Sequence, residues 1–340
     1  MTQVASPLSP GEIADLCAPF LGASKILLAV SGGPDSLALL LIVHRWLRVT
    51  PGAPPVAVAT VDHRLRSEAA AEAAAVAAHC RRLDLPHAVL VWEGGKPAHG
   101  LQEAAREARY RLLADHARAI GADRIVTAHH RDDQAETVLM RLARGSGVGG
   151  LAAMRPATEI APGLVLLRPF LTLPKARLVA TVAEAGLIAA EDASNRDLRF
   201  ARAALRARQA ARTSLGLTDE RLARLAERAA RAEAALEVVA ATRHRALVRR
   251  EEGRALIAAA LFDEPAEIQL RVMRRTIEAT APSVVPLRLE RLEALAAALG
   301  EARRERRTLT RSLAGTIVSL ASDGSLLVSV ERPRRRGRGS

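Results

Sequence analysis

The chain has 340 residues, a length that suits two domains better than one and leaves ample room for a hydrophobic core. Only 2% of the residues are aromatic, whereas Ala, Leu, Arg and Glu are abundant, so we expect helices to dominate. Two cysteines without a CxxC pair argue against a disulfide framework and a zinc site, and no apolar run approaches the ~18 residues of a membrane span. We expect a protein of the reducing cytoplasm with no membrane partner.

The basic charge lies unevenly along the chain. The formal net charge is +13, with 22 basic and 20 acidic side chains in residues 1–200 but 28 and 17 in residues 201–340. Such an asymmetry is typical of a protein that contacts a polyanion, and nucleic acid is the natural candidate. An Arg-rich solvated helical surface would have the same composition, and the charge alone does not separate the two.

Short β-type runs alternate with helical patterns in the first half of the chain. The predicted strands are 25–30, 56–62, 88–92, 124–127 and 165–168, and the predicted helices are 35–47, 67–83, 101–120 and 132–143. Alternation at this spacing is typical of βαβ units, so we predict an α/β fold with a mostly parallel sheet covered on both faces. Ligands of such sheets bind at the carboxyl ends of the strands.

Beyond about residue 198 the pattern becomes helical, with long stretches at 219–248 and 265–298. The segment 312–330 differs, because two β-type runs flank Asp323-Gly324, a favourable hairpin turn. We therefore predict a smaller, mostly helical domain with a C-terminal β-hairpin after the parallel-sheet domain. The predicted organisation is an N-terminal helix at 1–21, a nucleotide-binding domain at 22–210, an accessory domain at 211–331 and a disordered basic tail at 332–340.

A segment rich in glycine and serine follows the first predicted strand and opens the first helix: Ser31, Gly32, Gly33, Pro34, Asp35 and Ser36. Glycine allows a sharp turn that brings several backbone N–H groups to one point, and the helix dipole favours phosphate there. The segment has neither the lysine of a Walker A loop nor the glycine spacing of a dinucleotide fingerprint. Asp35 would repel phosphate unless a cation lay between them, so it is a candidate Mg²⁺ ligand or loop-orienting residue. A plain Ser/Gly turn with a helix cap is the alternative.

Further polar residues lie at predicted strand ends and on the helices that follow. They are Asp62 and His63 after the second strand, Arg106 and Tyr110 on one helix face, and His130, Asp132, Asp133 and Glu136 after the fourth strand. Asp133 and Glu136 are three positions apart, so their carboxylates can converge at the start of a helix, where Mg²⁺ and an amine could meet. Acidic capping of the helix would explain the same residues.

The string SGGxDS between a strand and a helix resembles the pyrophosphate loop of the ATP pyrophosphatase superfamily, whose members transfer AMP to a carbonyl oxygen and release pyrophosphate. Other stretches resemble motifs of the tRNA(Ile)-lysidine synthase family. They are 62–66 against DHGLR, with Arg64 at the glycine position; 105–110 against ARxxRY; 128–137 against AHHxDDQxET; 144–151 against RGSGxxGL, a loop expected to close over substrate; and 192–206 against DxSN and RNxxR, with Ala203 where asparagine is usual. The resemblance covers residues 22–210, and more loosely the chain to about residue 331.

This resemblance implies an adenine nucleotide α-hydrolase-like domain that binds ATP and Mg²⁺. It implies adenylation of the 2-carbonyl oxygen of the wobble cytidine in tRNA(Ile) with a CAU anticodon, followed by displacement of AMP by L-lysine. The implied site residues are Asp35, Asp132, Asp133, Glu136, His130 and Arg106 for catalysis, residues 31–36 with Asp62 and His63 for ATP, Asp35 and Asp133 for Mg²⁺, and Arg199, Arg202 and Arg206 for tRNA.

Two alternatives remain open at this stage. A related tRNA-thiolating enzyme would share the loop, but Cys17 and Cys80 lie far along the chain from every motif. A non-catalytic RNA-binding protein on the same fold would explain the basic charge, although not the intact Asp35 and Asp133. The sequence leaves the oligomeric state open, a homodimer included.

Overall fold

The computed structural model describes residues 5–65, 68–97, 99–187, 201–281 and 287–331, with the backbone alone for 201–203. The chain divides into two compact units, Met1–Arg144 with Leu151–Glu227 and Gly145–Gly150 with Arg228–Ser340. Each unit has a hydrophobic core of its own. The assignment of one unit to catalysis and the other to tRNA contact stays a prediction. No helix in the described ranges is long and apolar enough to cross a membrane.

Six strands form the sheet of the first unit: β1 Ile26–Ala29, β2 Val56–Asp62, β3 His87–Val91, β4 Arg124–Val126, β5 Ala157–Ala161 and β6 Leu164–Leu167. Their order is β3-β2-β1-β4-β6-β5, and every neighbouring pair is parallel except β5 with β6. The central strand β1 is apolar and buried because helices cover both faces of the sheet. The strand order reverses between β1 and β4, and the crevice at such a point is where open α/β sheets bind ligands.

The helices in the described parts of the chain follow the alternation that the sequence predicts. They are α1 Pro10–Cys17, α2 Pro34–Leu47, α3 Ala69–Arg82, α4 Leu101–Ala119, α5 Arg131–Leu142, α6 Val148–Leu151, α7 Lys175–Glu184, α8 Ala201–Ala207, α9 Gln209–Ser214, α10 Asp219–Leu247, α11 Ala266–Thr280 and α12 Leu289–Arg304. α2 is apolar around most of its circumference because it packs against both α1 and α7. The predicted α/β fold with a parallel sheet is confirmed, whereas β5 and α7 were not predicted.

The second unit contains a five-stranded antiparallel sheet: β7 Val248–Glu251, β8 Arg254–Ile257, β9 Leu309–Leu313, β10 Thr316–Leu320 and β11 Leu326–Val330. The order is β7-β8-β11-β10-β9, and α11 and α12 pack on it. The predicted hairpin is β10 with β11, and its turn contains Gly324 at φ +83°. The expectation of a unit that is helical except for this hairpin missed β7, β8 and β9. β7 and β9 are the edge strands of this sheet, and both contain exposed arginines. These arginines interrupt the alternation of apolar and polar residues by which a strand is predicted from sequence.

Two glycines of segment 145–150 lie against helices of the second unit. A Cβ on Gly147 would lie 3.2 Å from Leu289 Cδ2, and one on Gly149 would lie 2.8 Å from Glu233 Oε1. Glu233 is 8% exposed, and its two carboxylate oxygens accept hydrogen bonds from the guanidinium of the buried Arg271, at 2.9 and 2.7 Å. Glycine is therefore required here by close packing, while closure of the segment over substrate stays a prediction.

Replacing Gly149 by alanine is expected to destabilise the protein by about 1–3 kcal/mol, the usual cost of overpacking a close contact. The Glu233 carboxylate cannot move aside easily because Arg271 holds both of its oxygens. Gly300→Ala is the matched control, since a Cβ there meets nothing closer than 3.8 Å and alanine favours a helix. Denaturant unfolding measures both variants. Equal stability of the Gly149→Ala variant and the unchanged protein would contradict the packing argument.

Candidate active site

The segment between β1 and α2 is organised by the hydroxyl of Ser36. Its Oγ accepts hydrogen bonds from the backbone N–H groups of Ser31 at 3.1 Å and Gly32 at 3.2 Å, and donates to the Gly33 carbonyl at 2.9 Å. Gly32 has φ +93°, a conformation that L side chains rarely adopt. Gly33 is the N-cap of α2 and has no side chain with which to cap the helix. This turn fits the predicted phosphate-binding site, because the helix N-terminus is left to an anion.

A histidine and carboxylates meet at the carboxyl ends of β1 and β4. His130, the N-cap of α5, is 1% exposed, and its Nε2 lies 3.5 Å from Asp35 Oδ2 and 3.4 Å from Asp133 Oδ2. The backbone N–H of His130 donates to Asp133 Oδ2 at 3.1 Å, and Asp132 Oδ1 lies 3.9 Å from His130 Nδ1. The structure thus brings together four of the residues predicted to be catalytic.

A lysine that the sequence analysis missed completes this cluster. The Lys175 Nζ lies 3.4 Å from Asp35 Oδ2, and its backbone N–H donates to Asp132 Oδ1 at 3.2 Å. Lys175 is the first residue of α7, so the first turns of α2, α5 and α7 converge here. A cation at a helix N-terminus is unfavourable because it opposes the helix dipole. A lysine directly after Pro174, where a helix can begin, was therefore a signal in the sequence that Lys175 has a role other than stabilising the helix.

The charges of this cluster shift the pKa values of its members in opposite directions. Burial disfavours the charged imidazole of His130, but Asp35, Asp133 and Asp132 outweigh burial and raise its pKa. Burial likewise raises the pKa of the Asp35 carboxyl, but His130 and Lys175 outweigh it and lower that pKa. These two shifts favour an imidazolium next to a carboxylate.

We expect the pKa of His130 to lie above 6.5, and the pKa of His63 to lie below it. The charged His130 stabilises the fold fully below about pH 6.5, the unfolded value, and this contribution is lost as the pH rises through the raised folded pKa. Asp35 acts in the opposite sense, so its contribution is lost as the pH falls through its lowered folded pKa. An NMR titration of the imidazole rings measures both histidines, and His63 is the internal control. A midpoint for His130 below that of His63 would contradict the assignment.

Glu136 forms an ion pair that binds α5 to α8. This residue is 3% exposed, and Arg206 Nε donates to its Oε1 at 2.5 Å while Nη2 lies 3.3 Å from Oε2 and 3.5 Å from Asp133 Oδ1. The pKa of Arg206 is raised, because Glu136, Asp133 and Asp35 outweigh its burial. The predicted role of Arg206 on tRNA phosphate stays a prediction. Arg199, the side chain of Arg202 and the DxSN stretch lie outside the described residues.

Asp62, His63 and Arg64 lie at the carboxyl end of β2. Asp62 Oδ1 accepts from the backbone N–H of Arg64 at 2.8 Å, and Arg64 has φ +51°. This left-handed conformation explains why the resembling motif has glycine where this chain has Arg64. His63 packs edge-to-face against Trp92, and its pKa is lowered by burial and by the nearby Arg109 and Lys96.

Arg106 does not join the acidic cluster, the group formed by Asp35, His130, Asp132, Asp133 and Lys175. Within the described ranges, no hydrogen bond or ion pair links it to Asp35, His130 or Asp133, and its guanidinium lies 5.1 Å from the centre of the Tyr110 ring. The placement of Arg106 close to the reacting atoms therefore stays a prediction.

The acidic cluster offers oxygen atoms suited to a cation. Asp35 Oδ1 is buried and has no hydrogen-bond partner among the described residues, so it has lone pairs to offer. The described part of the chain contains no group of three or more His, Cys, Asp or Glu side chains arranged to hold a metal. Mg²⁺ usually keeps few protein ligands together with phosphate oxygens and water, so a site of this kind fits Asp35 and Asp133.

Comparison with known proteins identifies the family. Residues 8–212 match the model of the PP-loop domain. A tRNA(Ile)-lysidine synthase of Rhodopseudomonas palustris is 48% identical, and the match covers 97% of each chain; one from Methylobacterium nodulans is 50% identical, over 99% of this chain and 100% of that one. A U34-tRNA thiolase from Methanococcus maripaludis has a similar fold, with a TM-score of 0.55 and 14% identity over 64% of this chain and 77% of that chain. The chain therefore belongs to the PP-loop family and, within it, to the tRNA(Ile)-lysidine synthases, as its motifs predict.

Proposed function

We propose that this protein uses ATP to join L-lysine to the 2-position of the wobble cytidine of tRNA(Ile) with a CAU anticodon. The products are lysidine, AMP and pyrophosphate, and the modified anticodon decodes AUA instead of AUG. The observation that carries the proposal is the cluster of Asp35, His130, Asp133 and Lys175 beside the phosphate-binding turn. The near full-length similarity to curated lysidine synthases supports the choice of substrate.

The turn, the N-terminus of α2 and Lys175 bind the triphosphate of ATP. Backbone N–H groups and the ammonium of Lys175 stabilise the negative charge that moves onto the departing pyrophosphate. Asp35 and Asp133 would hold Mg²⁺, which neutralises phosphate charge when it is bound. Asp35 orients Lys175 and His130 at the same time, because both side chains lie within 3.5 Å of its Oδ2.

The reaction consists of two substitutions. The carbonyl oxygen of cytidine attacks the α-phosphorus of ATP and expels pyrophosphate, which converts that oxygen into a leaving group as AMP. The amine of lysine then forms the carbon–nitrogen bond, AMP leaves, and one amine proton passes to a base. The raised pKa of His130 disfavours the neutral imidazole as the proton acceptor, so we assign the base to Asp132, a carboxylate of α5 that is not a proposed Mg²⁺ ligand.

Thiolation fits the described residues less well. It needs a reactive sulfur, but Cys17 and Cys80 are both buried, and burial raises the pKa of Cys17 to about 12 and that of Cys80 to about 11. The non-catalytic alternative does not explain why Asp35 and Asp133 converge on one imidazole. The tRNA substrate places the protein in the cytoplasm in this proposal, and a homodimer is the assembly we would test by light scattering.

The test is lysine transfer by the purified protein. We expect ATP, Mg²⁺ and radiolabelled lysine to label unmodified tRNA(Ile) with a CAU anticodon, with one AMP formed for each lysine joined. Methionine tRNA, which has the same anticodon on a different body, is the matched control and should stay unlabelled. AMP formation on tRNA without lysine transfer would contradict the choice of substrate, and binding without AMP would favour the non-catalytic alternative.

A further inference from the structure

Arg106 and Arg109 lie beside the ring of Tyr110, the single tyrosine of the chain, and Arg141 and Arg168 interact electrostatically with Arg106. We propose that this arginine cluster, formed by Arg106 and Arg109 beside Tyr110 together with Arg141 and Arg168, binds a backbone phosphate of the tRNA anticodon loop. The proposal rests on the proposed function, in which the substrate is a tRNA, and it identifies the residues that bind the tRNA backbone.

Tyr110 is the centre of the cluster. It lies on α4, and its ring packs against the core between α4 and the sheet. The guanidinium carbons of Arg106 and Arg109 lie 5.1 and 5.5 Å from the ring centre, within the range of a cation–π contact. The tyrosine ring therefore holds two guanidinium groups next to each other, and the Tyr110 hydroxyl itself is buried.

Arg168 and Arg141 complete the cluster from two other elements. Arg168 directly follows β6 and is 7% exposed; its Nη1 donates to the Arg155 carbonyl at 2.9 Å and to Thr158 Oγ1 at 3.1 Å. Its Nε is buried and has no partner among the described residues. Arg141 on α5 donates to the Ala153 carbonyl at 3.0 Å. Both side chains are thus fixed by the backbone before any ligand binds.

The four positive charges act on one another. The pKa of Arg168 is lowered by its burial and by Arg106 and Arg109, although Tyr110 partly opposes this. The pKa of Arg141 is lowered by burial and then by Arg106, Arg144 and Arg168. Keeping like charges together in a half-buried place costs free energy, and an anion between them would offset that cost.

A nucleic-acid phosphate suits the cluster better than a phosphate of ATP. Apart from burial, the groups that most affect the pKa of Asp35 are His130 and Lys175, whereas those that most affect the pKa values of Arg168 and Arg141 are Tyr110 and other arginines. The turn at residues 31–36 already serves the triphosphate. Arg106 is exposed, so the cluster opens to solvent, and guanidinium groups beside an aromatic ring are typical of sites for single-stranded RNA.

The test compares Arg106→Gln with Arg111→Gln, an exposed arginine on the same helix. Fluorescence anisotropy measures the affinity for a labelled anticodon stem–loop of tRNA(Ile) over a series of salt concentrations. We expect Arg106→Gln to bind about ten-fold more weakly or worse, with a salt slope shallower by about 0.7, the value for one phosphate contact on a single strand. Arg111→Gln should retain the original affinity and slope.

Two outcomes would overturn the inference. One is unchanged RNA affinity and slope in Arg106→Gln, and the other is a raised KM for ATP with unchanged RNA binding, which would assign the cluster to the triphosphate. Arg109→Gln is the second variant, and it should match Arg106→Gln. The binding measurement does not require turnover. A protein that binds RNA in this way but transfers no lysine would therefore contradict the proposed function, whereas the inference about the arginine cluster would be retained.

Discussion

Asp35→Asn is expected to reduce lysine transfer by about a hundred-fold or more, a typical loss when a group that positions reacting atoms is removed. The carboxylate lies within 3.5 Å of both His130 and Lys175, so asparagine removes the charge that orients these two cations. It also removes a ligand that we propose for Mg²⁺. The initial rate of lysine incorporation, at saturating ATP and tRNA, measures the effect.

The control for this variant is Asp115→Asn, which neutralises an exposed aspartate that pairs with Arg118 on the surface of α4. It should retain full activity, since exposed pairs of this kind contribute little. The NMR titration supplies a second readout, because the pKa of His130 should fall when Asp35 loses its charge. Full activity of a folded Asp35→Asn protein would remove the basis of the proposed mechanism.

Arg206→Gln is expected to lower kcat for lysine transfer by about ten-fold to a hundred-fold. Glu136 is almost fully buried, and the neutral side chain would remove the guanidinium charge of Arg206 that pairs with its carboxylate. A displaced Glu136 also disturbs Asp133, which lies one helical turn away and contacts the same guanidinium. Steady-state kinetics with tRNA separates the change in kcat from the change in KM.

Arg206→Lys distinguishes pairing from phosphate binding. Lysine keeps the charge and should restore part of the activity, although it lacks the two-pronged geometry of arginine. Arg208→Gln, an exposed neighbour, is the matched control. If Arg206 acted mainly on tRNA phosphate, the loss would fall on KM for tRNA and would vary with salt, and the assignment to Glu136 would be wrong.

Much of the first unit could be predicted because its local signals agree. Buried parallel strands are short apolar runs, and β2 begins and ends where the pattern places it, at Val56 and Asp62. β5 was missed because it is a short edge strand with exposed Ala157 and Glu159. β7 and β9 were missed because they are edge strands with exposed arginines. β8 was missed because its partner β11 lies far along the chain, as in the pair of Ala255 with Val328, and no local pattern indicates such a pairing.

Four members of the candidate site, Asp35, His130, Asp132 and Asp133, were named from the sequence, whereas Lys175 and the contacts between side chains were not. The spacing of Asp133 and Glu136 indicated converging carboxylates, and both are buried next to each other on α5. The spacing could not show that Glu136 faces Arg206, seventy positions away, or that Lys175 reaches Asp35. Such contacts depend on where α7 and α8 lie in the folded protein, and the periodicity of side chains along the sequence does not determine these positions.

The packing of segment 145–150 determines how the protein can be divided. Gly147 and Gly149 are close in sequence to α5, but the side chains that a Cβ on them would meet, Leu289 and Glu233, belong to the second unit. A fragment that stops at Glu227 would retain every residue of the acidic cluster and lose the partners of these glycines. The second unit is built from two separate stretches of the chain, so no single cut yields two fragments that each contain one whole unit. A truncated protein or a gene fusion must therefore contain both stretches.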